Sequence, residues 1–118
     1  MRDYNKLEAF KLADGLVVAV YRTTASYPKQ EVYGLASQTR RAAVSVPSNI
    51  VEGAARETQT EFVRFLDISY GSCHELKYQL GLAKRLGFGK DEVARAEALD
   101  KAERTAQVLA KLIGSLRR

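Results

Sequence analysis

Between Thr58 and Leu86, Phe62, Phe65, Leu66, Ser69, Cys73, Leu76, Leu80 and Ala83 recur at three- and four-residue spacings. That repeat puts side chains on one face of an α-helix. At ~1.5 Å per residue the helix would span roughly 40 Å. Such a length suits a long bundle better than a compact globule of short helices, so the partners of this segment must be long helices too. Its start is marked by Thr58 with Glu61 three residues later, the signature of a capping box.

The rest of the chain supplies those partners. Leu7, Phe10, Ala13, Val17, Val20, Tyr21 and Thr24 predict a helix over 6–26, closed by Pro28. Leu35, Thr39, Ala42, Val46, Ile50 and Gly53 predict a second over 34–55. Pro47 lies inside it, removes a backbone donor, frees the Ala43 carbonyl and predicts a bend. The third helix runs over 58–86, and Gly87-Phe88-Gly89 breaks the chain after it. Asp91 and Glu92 then open a fourth over 90–116, with Val93, Ala96, Leu99, Ala106, Leu109, Ile113 and Leu116 as its apolar face and Arg117 and Arg118 at its cation-favouring end. Four helices on short loops predict an all-α, antiparallel up-and-down four-helix bundle. The 118 residues are enough for one domain, 1–118, around one core.

Some apolar residues fall outside these stripes: Ile68, Tyr78 and Leu82 on the third helix, and Leu12, Leu16 and Val18 on the first. A four-helix monomer has no further core for them, which predicts self-association.

Within 34–55 lies a second ordered face. Gln38, Arg41, Ser45, Asn49, Glu52 and Arg56 follow one another at gaps of three or four residues. A merely solvated helix face is richer in Lys and Glu, because Ser and Asn compete with the backbone and lower helix propensity. The stripe therefore predicts a specified surface. One form is a structural or interfacial network in which Glu52 accepts from Arg56 or Arg41, and Asn49 and Gln38 serve the carbonyl freed by Pro47 or a neighbouring subunit's backbone. The other is a binding surface where Arg40, Arg41 and Arg56 meet phosphate or an acidic partner.

Net charge is +5 with a pI of about 9.5, but the excess is spread thinly along the chain with no basic tail or arm. Oligomerisation would concentrate it. Catalytic chemistry finds little support. One cysteine, Cys73, and one histidine, His74, cannot build a zinc cluster, a redox pair or the paired Glu-x-x-His sites of di-iron bundles. As helix neighbours they diverge by about 100°, which denies them a nucleophile–base geometry. Cys73 is expected in the core and His74 at the surface. The glycines match neither phosphate-loop nor dinucleotide spacing. No catalytic residue, metal or cofactor is expected. Without an apolar stretch of signal or spanning length, and with a single cysteine, the chain is expected in a reducing cytoplasm and away from membranes.

Four stretches carry a family resemblance: Tyr27-Pro28-Lys29-Gln30-Glu31-Val32-Tyr33-Gly34-Leu35, Gln38-Thr39-Arg40-Arg41-Ala42, Ser45-Val46-Pro47-Ser48-Asn49-Ile50-Val51-Glu52-Gly53, and Gly71-Ser72 with Glu75-Leu76. Through them the chain resembles, nearly end to end, the four-helix bundle family known as 23S rRNA-intervening sequence proteins. It departs at Val51, where the family commonly has alanine, and at Cys73-His74, an unusual local choice. The resemblance implies an antiparallel bundle assembled as a homopentamer, without established enzymatic activity. More distantly the architecture is similar to the accessory variability determinant of diversity-generating retroelements, which would imply a reverse transcriptase as partner by analogy alone. Five copies at +5 each would carry +25. The sequence thus predicts a non-catalytic oligomer that binds structured RNA or DNA through phosphates, against the alternative of a protein-interaction scaffold, or an element-encoded protein, whose stripe serves assembly only.

Overall fold

The computed structural model describes residues 2–117, and among them four α-helices carry the fold: α1 (Glu8–Thr24), α2 (Leu35–Ala54), α3 (Gln59–Arg85) and α4 (Glu92–Leu116). Two short 3-10 helices, Tyr4–Lys6 and Lys29–Glu31, lie before α1 and before α2. Each long helix packs on two neighbours, in the cyclic order α1, α2, α3, α4. The chain ends and loops fix the directions. The Arg2 amide donates to the Ala54 carbonyl (2.9 Å) and the Gln59 side chain to the Leu116 carbonyl (2.7 Å), gathering the start of the chain, the end of α2, the start of α3 and the end of α4. At the opposite end the Lys90 amide donates to Ser26 Oγ (2.9 Å). The helices therefore run up, down, up and down, in a body 43 × 23 × 20 Å whose long axis matches α3.

The ends of α3 are specified locally. Thr58 Oγ1 accepts from the Glu61 amide (3.1 Å), which is the N-terminal half of the expected capping box, while the Glu61 carboxylate turns to Arg64 (2.7 Å). At the other end Gly87 takes φ +75°, the left-handed conformation that favours glycine. The Phe88 amide then reaches the Ala83 carbonyl and the Gly87 amide the Lys84 carbonyl, the paired bonds of a Schellman motif. Asp91 stands just outside α4 as its N-cap, accepting from the Ala94 amide (2.9 Å), so the fourth helix begins at Glu92 and not at 90. The first begins at Glu8 because Asp3 caps a separate 3-10 turn ahead of it.

Every residue assigned to the core stripe of α3 is buried. On α4 the expected face is rotated at its start. Val93 is 78% exposed and Ala96 is exposed, whereas Ala94, Ala98 and Ala102 are buried. Alanines four apart let the α4 backbone approach its neighbours closely, and that outweighs the larger side chain of Val93. On α1, Leu16, expected to lie outside the core, is completely buried with Ala9, Ala13 and Ala19. Val18, Ile68 and Tyr78 do remain exposed, while Leu12 and Leu82 are half-buried.

α2 continues through Pro47 as one helix. Just before the proline the buried Ser69 hydroxyl of α3 donates to the Val46 carbonyl (2.8 Å). About two turns further on, a Cβ built on Gly53 would lie 2.7 Å from Phe65 Cβ and 3.2 Å from Phe62 Cδ1. α2 and α3 are thus held at a separation that only glycine permits.

A smaller cluster closes the other end. Tyr27, Ala36 and Ala83 are buried there with Leu35 and Phe88 packed against them. The Arg95 side chain, 9% exposed, donates to the Phe88 carbonyl and to the Gly89 carbonyl (3.2 Å), clasping the α3–α4 loop.

Candidate functional site

α2 carries Gln38, Arg41, Ser45, Asn49 and Glu52, Arg56 follows just past its end, and four of these six side chains form two local networks. Asn49 Nδ2 donates to the Ser45 carbonyl (2.8 Å) and to Ser45 Oγ (2.9 Å). Ser45 Oγ in turn bonds Ser72 Oγ of α3 (2.8 Å). Asn49 therefore serves Ser45 and not the Ala43 carbonyl, because a side chain at position i reaches back one turn to i−4 and Ala43 is two residues further. Toward the helix end Arg56 pairs with Glu52 at 2.7 Å, settling the donor to Glu52 as Arg56 rather than Arg41. The Arg56 guanidinium also lies 5.1 Å from the Phe65 ring centroid, within cation–π range.

The three candidate arginines are not equivalent. Arg40 is half-buried, donates from Nε to Thr24 Oγ1 (2.8 Å) and lies 4.8 Å over the Tyr21 ring, so it ties α2 to α1. Thr24 is held in place by its own bond to the Val20 carbonyl (2.8 Å). Arg56 is engaged by Glu52 and Phe65. Arg41 is exposed and, among the described residues, has no ion-pair partner.

Arg41 and Ser45 stand on the ridge between two surface grooves. The first, about 500 Å³, lies toward α1 and is lined by Tyr21, Val32, Arg40, Val44 and Ser48 besides the ridge. Tyr21, Val32 and Val44 are 45%, 52% and 40% exposed, and Tyr33 nearby in sequence is 95% exposed. The second groove, about 330 Å³, lies between α2 and α3 and adds Gln38, Ser72, Glu75 and Gln79. Sequence reasoning did not place Ser72, Glu75 and Gln79 at a site. Their spacing of three and four residues repeats the pattern of the α2 stripe on α3, and that was the signal available.

Some charges elsewhere are paired locally. A third groove of about 460 Å³ near the Arg2 end contains Arg64 and Arg117, paired with Glu61 and Asp67. The Arg64 guanidinium beside Glu61 holds that carboxyl below the usual range. Cys73 is fully buried, and burial pushes its thiol up to about 12, so it stays protonated at neutral pH. His74 is exposed and stacks edge-on against Tyr70 at 4.6 Å. The described residues contain no group of three or more His, Cys, Asp or Glu side chains placed to hold a metal ion. None of their helices is long and apolar enough to cross a membrane.

The family model described as 23S rRNA-intervening sequence protein matches residues 5–111. Among solved structures, a protein of unknown function from the S23 ribosomal protein family of Bacteroides thetaiotaomicron VPI-5482 superposes with a TM-score of 0.79. It is 17% identical, over 90% of this chain and 95% of that one. At that identity the likeness is one of fold. No curated protein matches the chain.

Proposed function

The chain belongs to the 23S rRNA-intervening sequence protein family, and from that premise we propose that it is a non-catalytic bundle that assembles with copies of itself through the outer face of α2 and offers nucleic acid the pooled positive charge of the assembly. One observation carries the assembly part. Beside the outer face of α2, exposed Tyr21 of α1, Val32 of the loop before α2 and Val44 of α2 line one groove, which adjoins a polar ridge ordered by hydrogen bonds among Ser45, Asn49 and Ser72. An apolar patch rimmed by fixed polar groups is the form that protein–protein contacts take.

The nucleic-acid part rests on charge. One copy carries +5, and a pentamer, the state the family resemblance implies, would carry +25, enough to attract a polyanion from a distance. Of the three arginines only Arg41 is unengaged within one copy; Arg40 and Arg56 contribute charge while holding structure. The engagement of those two favours the second reading, a scaffold whose α2 face serves assembly alone. The reverse-transcriptase partnership draws on architecture and has no residue of this chain behind it. A reducing cytoplasm suits the single buried thiol.

Fluorescence anisotropy of a labelled structured RNA separates the two readings. For the platform, affinity falls roughly 10³-fold or more between about 50 and about 200 mM salt as released counterions are repaid. No binding at the lower salt would leave assembly as the role of the surface.

A further inference from the structure

The groove between α2 and α3 is unevenly satisfied. Its floor is closed internally, with Ser45, Ser72 and Asn49 bonded to one another. Its walls are not. Gln79 is only 6% exposed, lines the groove, and its Oε1 has no hydrogen-bond partner. A buried amide oxygen left unpaired has lost its water without replacement, so the position asks for a donor. Glu75, four residues before it and therefore on the same face of α3, is exposed and has no ion-pair partner among the described residues. On the lip stands Arg41, a cation equally without a partner.

We infer that this groove receives a second copy of this chain: the Arg41 guanidinium of one copy enters the α2–α3 groove of another, where the Glu75 carboxylate and Gln79 Oε1 accept from it. The inference deepens the assembly reading above and rests on it. A planar guanidinium presents five donors in a fixed fork, enough for a carboxylate and an amide oxygen together. The molecule offers both halves of the match, an unpaired cation on the ridge and a paired set of acceptors in the groove, so copies are complementary to each other. A phosphate is a poor occupant, because the Glu75 carboxylate would repel it. Apolar area comes from the neighbouring groove, continuous with this one through Arg41 and Ser45, where Tyr21, Val32 and Val44 are exposed. A stable contact needs about 800 Å² per partner, which polar pairs in one narrow groove do not supply alone.

The test is a charge-reversal exchange read by multi-angle light scattering, with helicity followed by circular dichroism. Arg41→Glu alone and Glu75→Arg alone each set like charge against like charge across the contact. Both residues are exposed, so helicity is expected to stay unchanged while association weakens at least tenfold and the mass falls toward the 13.1 kDa of one chain. An equimolar mixture of the two variants restores opposite charges at every junction between unlike copies, which in a pentamer is all junctions but one, and recovers at least half of the assembled fraction. A pair formed within one copy could not be rescued by mixing. Single variants that stay assembled, or a mixture that stays dissociated, overturn the inference while leaving assembly through α2 standing. An unmodified protein that is monomeric removes the assembly reading itself.

Discussion

At Gly53 the absence of a side chain sets the distance between two helices. Replacing it by alanine should improve the local helix by about 1 kcal/mol, yet the added carbon would stand 2.7 Å from Phe65 Cβ, on the stem of a buried ring that has little room to move. The steric term, typically ~1–3 kcal/mol, wins. Gly53→Ala is expected to lower the urea midpoint with an unchanged m-value, and an equal or higher midpoint would show that α2 and α3 part at little cost. Cys73 gives a prediction in pH. Its thiol is pushed from 9.0 to about 12 in the folded chain, first by burial, with Lys77 working the other way. Below pH 9 both states hold the proton and nothing changes. Between pH 9 and about 12 only the unfolded chain ionises, so stability falls as pH rises, by at most ~1.4 kcal/mol per unit. Cys73→Ala should remove that extra decline in denaturation curves at pH 9 and pH 10, and parallel pH profiles would contradict it. The sequence shows Cys73 as a core position because it falls on the α3 stripe. The need for glycine at position 53 is a tertiary fact, invisible until the two phenylalanines are placed against it.

Elements were legible in proportion to the size of their core residues. α3 buries aromatic and branched side chains at helical spacing, and its whole stripe is recovered. α4 begins with Ala94, Ala98 and Ala102 on the inside and Val93 outside, and a reading weighted by hydrophobic size turns it the wrong way. Arg95 was missed for the same reason, since a charged residue on an alanine-rich face reads as solvent-exposed. It is instead buried beside Tyr27, whose phenol is raised by burial and lowered again in part by that cation. Because Arg95 holds the carbonyls of the α3–α4 loop, Arg95→Met keeps much of the volume but removes the donors. A loss of about 2–3 kcal/mol is expected. Amide exchange should speed up in 86–91 before it does in the centre of α3. Uniform acceleration across the bundle, or none, would show that the clasp carries no local stability.

At the scale of the molecule, the stripe on α2 could be read from spacing alone, but the division of labour along it could not. Arg40, Arg41 and Arg56 look alike in sequence. Only their neighbours, Thr24 and Tyr21 for the first, Glu52 and Phe65 for the last, show which cation is left over. Of the apolar residues expected outside the core, Val18 on α1 and Ile68 and Tyr78 on α3 are exposed while Leu16 is withdrawn into the core; the apolar surface beside α2 is a different one, made by Val32, Val44 and Tyr21, the last a residue whose spacing places it on the core stripe of α1. Sedimentation equilibrium of the unmodified protein beside Val44→Asp decides whether this face assembles copies. The unmodified protein is expected as a species of several times 13.1 kDa that Val44→Asp dissociates without loss of helicity, because Val44 is 40% exposed and a charge there would be buried only in the assembly. A 13.1 kDa monomer across the accessible concentration range, or an assembly indifferent to Val44→Asp, would contradict assembly through this face.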